Sequence, residues 1–225
     1  MIQIVFQNNS FVVCNKPAQV LSVPARDKAD PRPCLGLELQ KHLGQPVYPV
    51  HRLDYEVSGL ILYALTSESH RESQDWFQNK LIRKKYRAET PFQNFDHWPQ
   101  NVTTDRSQII VKPGSQFLWK TKILRGKRRS FESAHGEWAE TEALVHAVDE
   151  AAKKILWDLY PITGKPHQLR LELSRRGFPI LGDSLYGSTY KREEAGVALA
   201  AIEINLSGVQ SRYGLPEKIL LNPSN

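Results

Sequence analysis

The chain has 225 residues, of which 40 % are hydrophobic and 24 % charged, which is ordinary for a soluble globular protein with one sizeable core. The longest apolar run, at residues 60–65, is far too short to span a bilayer. A net charge of +6 and a pI of about 9.3 favour a polyanionic partner, although charge alone does not identify it.

Local patterns predict a series of short elements along the chain. Apolar or alternating runs predict strands at 2–6, 11–14, 60–65, 143–148, 155–160 and 198–204. Capping residues and apolar spacing predict helices at 67–79 and 166–176, and a third helix is expected at 35–43. Stretches rich in charge or proline predict loops at 27–33 and 120–133.

Helices and strands do not alternate regularly, which indicates an α+β fold with mainly antiparallel strands. No repeat or linker is evident, so we expect a single domain over residues 1–225, and a monomer because no apolar seam stands out. Cys14 and Cys34 form no CxxC pair and have no spaced histidines nearby, so we expect buried free thiols rather than a zinc site. The first residues lack a signal-peptide pattern, and the expected location is the cytoplasm.

Positive charge is concentrated in two runs, at residues 80–87 and 120–129. Such a run is usually a solvated face, but two dense runs in one small domain favour binding to phosphates. We therefore expect Lys127, Arg128 and Arg129 to contact the phosphates of a nucleic acid. Nearby aromatic residues could stack on bases or lie in the core.

Polar residues at 50–59 precede the apolar run at 60–65. Functional side chains are often held on a loop that enters a buried strand, but a lone aspartate there, Asp54, is more often a turn former or a cap. Ser58 and Gly59 are expected to shape the turn. This segment alone does not assign a function.

Five segments in order resemble the RluA-type pseudouridine synthases. HRLDYEVSGL at 51–60 is similar to the family's HRLDxxTSGL signature. The other four are similar to its NKPxGxLxxP, KxY, TGRxHQIR and GHPIxGDxxYG segments, and lie at 15–24, 84–88, 161–171 and 177–187. Departures include Gln19 at the glycine of the first segment, Lys165 at an arginine, and Glu172 and Phe178 at common histidines.

The resemblance implies the pseudouridine synthase fold, a bent, mixed but mainly antiparallel sheet with flanking helices and a central catalytic cleft. It also implies isomerisation of chosen uridines in a stem-loop of large-subunit rRNA, of tRNA or of both. The reaction breaks the bond from ribose C1′ to uracil N1 and rejoins the base through C5. It needs neither a metal nor an organic cofactor.

The matching positions imply a catalytic set of Asp54, Tyr86 and Arg170. Asp54 is the carboxylate beside the sugar and Arg170 its ionic partner, because a buried carboxylate needs compensation. Tyr86 lies against the base and could assist proton removal from C5. Arg52 could fill the space that the flipped uridine leaves, or it could contact a phosphate or form a structural salt bridge. Flipping itself costs a few kcal/mol.

Two supporting roles follow at other matched positions. His51 is expected to order the loop rather than to perform acid–base chemistry. Leu171 is assigned to the substrate site, against the uracil ring, although a place in the core is nearly as common for such a leucine.

Two other functions are compatible with parts of the sequence. Asp54 and Glu56, spaced i, i+2, would share one face of a strand and could serve a retaining glycosidase or nucleosidase, in which free uracil would be a product. A degenerate synthase could also act as a non-catalytic RNA-binding or assembly factor. Retention of Asp54, Tyr86 and Arg170 together argues against this last function.

Overall fold

A computed structural model describes residues 2–96, 106–209 and 213–221. Two compact units divide the chain. The first comprises Met1–Lys84 and Ala200–Asn225, and the second comprises Lys85–Leu199.

The described residues form strands and three α-helices. The strands are β1 (Gln3–Gln7), β2 (Phe11–Lys16), β3 (Tyr48–Pro49), β4 (Ser58–Ala64), β5 (Arg83–Pro91), β6 (Gln116–Arg125), β7 (Ser130–Glu132), β8 (Glu137–Asp149), β9 (Lys154–Pro161), β10 (Leu199–Asn205) and β11 (Lys218–Leu220). The helices are α1 (Leu35–Leu43), α2 (Ser67–Gln78) and α3 (Gln168–Ser174), with a short 3-10 turn at Ser184–Tyr186.

In the first unit the strands are ordered β1-β2-β4-β10, with β3 beside β4 and β11 beside β10. All of these pairs are antiparallel except β4 with β10, which is parallel. Residues 59–64 of β4 are buried, as expected for a central strand covered on both sides. A hydrophobic cluster fills this unit around Phe11, Leu62, Trp76 and Ile204.

In the second unit the strand order is β5-β9-β8-β6-β7. Its pairs are antiparallel, and side chains alternate between the core and water. On β6, Trp119, Thr121 and Ile123 are buried, whereas Lys120 is exposed. Helix α3 contacts β6, β7 and β9 and contributes to the core of this unit.

Most expected elements are confirmed, including α1 with its predicted bounds and the strands and helices of the first unit. Helix α3 is shorter than predicted at both ends. The loop expected at 120–133 is wrong, because β6 continues to Arg125 and pairs with β7 in a hairpin. Ser58 and Gly59 begin β4 rather than forming a turn.

The α+β class with mainly antiparallel strands is confirmed. Cys14 and Cys34 are both buried free thiols, as expected. Among the helices of the described residues, none has the length and apolar character that a membrane crossing requires.

Candidate active site

Asp54 lies half-buried in the loop that joins β3 to β4. The loop closes in a tight turn, in which Val57 N donates to Asp54 O at 3.2 Å. Asp54 and Glu56 therefore do not lie on a strand, and the strand-face argument for a paired-carboxylate glycosidase is wrong in its premise.

This loop is fastened to the segment that follows β2. Gln19 N donates to Tyr55 O at 2.7 Å. Ser22 Oγ donates to Leu53 O at 2.9 Å and accepts from Leu53 N at 3.0 Å, so one hydroxyl satisfies both backbone groups of the residue before Asp54. The family segments at 15–24 and 51–60 are therefore joined by hydrogen bonds in the fold.

Gln19 has a φ of 60°, in the left-handed region that glycine adopts without steric cost. The glycine of the family's first segment suits this backbone. The departure at Gln19 therefore retains the turn at the expense of some local strain.

Lys16 lies beneath the same loop and is fully buried. Its Nζ donates to Pro17 O at 2.9 Å and to Val20 O at 2.8 Å. Burial lowers the pKa of Lys16 to about 8, although the charges of Asp54 and Glu56 oppose this shift. Sequence reasoning gave this lysine no role, because a lysine at a strand end is usually solvent-exposed.

His51 has a structural role in the loop. Leu62 N donates to His51 Nε2 at 3.2 Å, and the ring packs 5.3 Å from that of Phe77. Burial and then the nearby Lys84 hold the pKa of His51 well below its usual value, which keeps the imidazole neutral. The adjacent Arg52 is exposed.

Tyr86 belongs to the second unit, where it lies on β5 opposite Leu159 of β9. Only 6 % of its surface is exposed. Its neighbours Lys85 and Arg87 point to the other face of the strand, where both pair with the buried Asp158 at 2.8 Å.

Arg170 lies on α3 with only 1 % of its surface exposed. Its Nε donates to Asp183 Oδ2 at 2.7 Å and its Nη2 donates to Asp183 Oδ1 at 2.8 Å. This bidentate pair fixes the plane of the guanidinium as well as its position. The family segment that contains Asp183 was identified in the sequence, but the aspartate's role as a clamp on Arg170 was not.

The residues beside Arg170 are also buried. Leu171 packs in a cluster with Ile123, Ala139 and Tyr186, so it occupies a core position, and its contact with uracil stays a prediction. Glu172 accepts a hydrogen bond from Thr121 Oγ1 at 3.0 Å and forms an ion pair with Arg176. Arg176 therefore compensates the buried charge of Glu172, which stands where the family commonly has a histidine.

The expected RNA-binding residues lie in the turn between β6 and β7. Lys127 and Arg128 are exposed at its tip. Arg129 is half-buried and donates from Nη1 to Leu185 O at 3.4 Å. The turn closes through a bond from Gly126 N to Arg129 O at 3.0 Å.

The predicted residues thus fall in both units. Asp54, His51 and Arg52 belong to the first. The second contains Tyr86, Arg170, Leu171, Lys127, Arg128 and Arg129. The pairing of Arg170 with Asp54 stays a prediction.

Residues 10–175 match the family model described as RNA pseudouridylate synthase. The chain belongs to this family. It is 32 % identical over 215 residues to the dual-specificity RNA pseudouridine synthase RluA of Escherichia coli (strain K12), covering 94 % of this chain and 88 % of that one. An uncharacterized RNA pseudouridine synthase of Helicobacter pylori (strain J99) is 32 % identical over 191 residues, which are 82 % of this chain and 58 % of that protein.

Solved structures agree with the fold. The human RNA pseudouridylate synthase domain containing 4 matches with a TM-score of 0.67 at 22 % identity, covering 98 % of this chain and 88 % of that one. The RluA-type assignment from sequence is therefore confirmed, and the protein is an RNA pseudouridine synthase, an isomerase.

Proposed function

We propose that this synthase isomerises specific uridines in a stem-loop of large-subunit rRNA, of tRNA or of both. Asp54 acts as the nucleophile, and the target base is flipped out of its stack. The dual specificity named for the E. coli relative supports more than one RNA substrate. The observation that carries the proposal is the loop of Asp54, which Gln19 and Ser22 hold in one conformation.

A carboxylate suits the first step of this reaction. Cleavage of the C1′–N1 bond leaves C1′ electron-poor, and an ionised Asp54 can attack it to form a covalent sugar intermediate. The base then rejoins through C5, which displaces the Asp54 carboxylate from C1′, and the C5 proton is lost while N1 gains one. Every atom of the uridine except the exchanged proton remains in the product.

Arg170 is proposed as the cation that keeps Asp54 ionised and oriented. Its bidentate pair with Asp183 supports this role, because the guanidinium is fixed before any substrate binds. Asp183 also neutralises part of the charge of Arg170. Asp54 is then more nucleophilic than it would be if it alone balanced the full charge of Arg170.

Tyr86 is proposed to stack on uracil and to assist the loss of the C5 proton. Its ring lies on a rigid strand rather than on a loop, which suits a fixed stacking surface. The neutral His51 keeps its role in ordering the loop, and the exposed Arg52 suits the space that the flipped base vacates.

Contacts with phosphates are proposed for the hairpin turn, where Lys127 and Arg128 project into solvent. Such contacts position an RNA without reading its bases, which fits recognition of a stem-loop by shape. Arg129 would assist from the base of the turn, where its guanidinium is already held by Leu185 O.

The test is tritium release from C5-labelled uridine in bulk tRNA and in large-subunit rRNA transcripts, with free uracil measured in parallel. We expect release from at least one RNA class and no free uracil. Release from neither, with RNA binding intact, would instead support the non-catalytic RNA-binding function. Accumulation of free uracil would support a glycosidase.

A further inference from the structure

Tyr186 lies fully buried at the end of the 3-10 turn that begins with Ser184. Its hydroxyl meets β7, where Ser130 N donates to it at 2.9 Å and Ser130 O accepts from it at 3.1 Å. The same hydroxyl is 3.1 Å from Nδ1 of His167, the residue that precedes α3. One phenol thus joins the hairpin to the start of the helix.

The donors in this network can be assigned. Arg125 can only donate, so its Nη1, 3.3 Å from His167 Nε2, makes that nitrogen the acceptor. The neutral imidazole then carries its proton on Nδ1 and donates to Tyr186 Oη. The hydroxyl proton is left for Ser130 O, and each of the four contacts has one donor and one acceptor.

Three further contacts join the hairpin to the chain around α3. Ser130 Oγ donates to Pro166 O at 2.6 Å, and Arg129 reaches Leu185 O. Arg175, at the end of α3, pairs with Glu132 of β7 at 2.6 Å. The base of the hairpin is therefore attached at both ends of the helix, while its tip is exposed.

The other side of Tyr186 faces the proposed cation. The Arg170 guanidinium lies 5.3 Å from the centroid of the tyrosine ring. Tyr186 N donates to Asp183 O at 3.0 Å, and Asp183 is the residue whose carboxylate clamps Arg170. Ser174 Oγ of α3 donates to Tyr186 O at 2.5 Å, which fixes the turn to the helix.

We propose that Tyr186 is a positioning residue, which sets the basic hairpin in register with Arg170 through its hydroxyl on one side and its ring on the other. RNA held at the tip by Lys127 and Arg128 is thereby presented at a fixed distance from the cation. This inference rests on the proposed function, because it assigns the hairpin to RNA and Arg170 to the reaction.

The two sides of Tyr186 can be separated experimentally. Tyr186→Phe keeps the ring against Arg170 and leaves the carboxylate clamp of Asp183 in place, but it removes every contact of the hydroxyl. Phosphate contacts at the tip remain, so binding should persist while alignment is lost. We expect kcat to fall about tenfold and KM to stay within about twofold, because small misplacements of a bound reactant slow reaction strongly.

Tyr190→Phe is the matched control, since Tyr190 is in the same unit, is 52 % exposed, and should retain the wild-type kcat. Ser130→Ala is a second variant, which removes only the bond to Pro166 O and should lower kcat in the same direction by a smaller factor. Hydrogen–deuterium exchange of the peptide spanning 124–131 measures the attachment itself. We expect faster exchange in Tyr186→Phe and unchanged exchange in Tyr190→Phe.

Faster exchange with an undiminished kcat would overturn the inference, as would exchange at the wild-type rate in Tyr186→Phe. A rise in KM at constant kcat would also overturn it, because the hydroxyl would then serve binding alone. Failure of the proposed function is distinguishable, since the wild-type enzyme itself would then release no tritium while the exchange comparison still decides whether the attachment exists.

Discussion

The two proposed charged groups of the site are held in different ways. Asp54 lies on a half-buried loop whose backbone is bound by Gln19 N, Ser22 Oγ and Lys16 Nζ. Arg170 lies in the core of a helix-covered sheet, and side chains fix it at 1 % exposure. We infer that the guanidinium of Arg170 is preset before the base arrives. Substitutions should therefore act through alignment in the second unit and through loop and strand geometry in the first.

Among the variants that test this comparison, the largest effect is expected for Asp183→Asn, which tests whether the guanidinium of Arg170 is preset. The amide keeps the size of the side chain but removes the carboxylate that compensates Arg170. Breaking a buried pair from one side costs about 3 kcal/mol of stability. Loosening the guanidinium should lower kcat about 100-fold. Urea unfolding and tritium release measure the two effects.

Asp158→Asn is the matched comparison for that variant, since Asp158 is also buried but pairs with Lys85 and Arg87. Its cations, Lys85 and Arg87, are 19 % and 33 % exposed and can regain water when the carboxylate is lost. We expect a smaller loss of stability and a kcat within about threefold of wild type. Equal losses of kcat in the two variants would contradict a specific role for Asp183.

The next effect, on the first unit, is expected for Gly59→Ala at the start of β4. A Cβ at this position would lie 2.2 Å from Ala201 O and 2.5 Å from Ala201 N of the parallel strand β10, and φ is +108°. Overpacking and backbone strain together should lower the free energy of unfolding by about 3 kcal/mol. Thermal and urea unfolding check this value.

Gly44→Ala provides the control for backbone strain alone. Gly44 also has a positive φ, +67°, but a Cβ there would meet no atom within 4 Å. We expect a loss of about 1 kcal/mol. The loss in unfolding free energy for Gly59→Ala should clearly exceed this value. Similar losses at both glycines would show that the close approach of β4 to β10 adds no steric cost to that of backbone strain.

Controls aside, the smallest effect is expected for Lys16→Met, and it depends on pH. Lys16 has a pKa of about 8 in the folded protein against 10.5 ordinarily, so unfolding takes up a proton between these values. The stability that depends on Lys16 therefore rises with pH across this window, by about 2 kcal/mol from pH 7 to 9.5. The difference in unfolding free energy between wild type and Lys16→Met should change by that amount.

Lys28→Met, at an exposed loop position, should show no such change with pH. A pH-independent difference for Lys16→Met would contradict the desolvation of Lys16 beneath the Asp54 loop.

Sequence patterns predicted the buried elements better than the charged ones. Helix α1 has its predicted bounds, and Gly44 ends it with a positive φ. Strand β5 was missed because its alternate residues Lys85 and Arg87 face the buried Asp158, and their charges made the segment look like a solvated run. Strand β6 was missed for a similar reason, since Lys120 and Lys122 hid the alternation of an amphipathic strand.

The candidate residues came from the family motifs, whereas their supporting contacts did not. The clamp on Arg170 joins side chains 13 residues apart, and no local spacing rule predicts such a pair. Lys16 also lies within a family motif, but its burial depends on the carbonyl groups of Val20 and Tyr55, in two loops that meet only in the folded chain. The family motifs therefore identified the candidate residues, whereas the contacts that position those residues could be seen only in the structure.

The central claim is that Asp54 is the nucleophile, and single-turnover tritium release from the RNA that the wild-type enzyme modifies tests it most directly. Asp54→Asn is compared with Glu56→Gln, the same change two residues along the loop. We predict release below about one-thousandth of the wild-type rate for Asp54→Asn and within about threefold for Glu56→Gln, with both variants folded. Wild-type release in Asp54→Asn, or equal inactivity of both variants, would contradict the account.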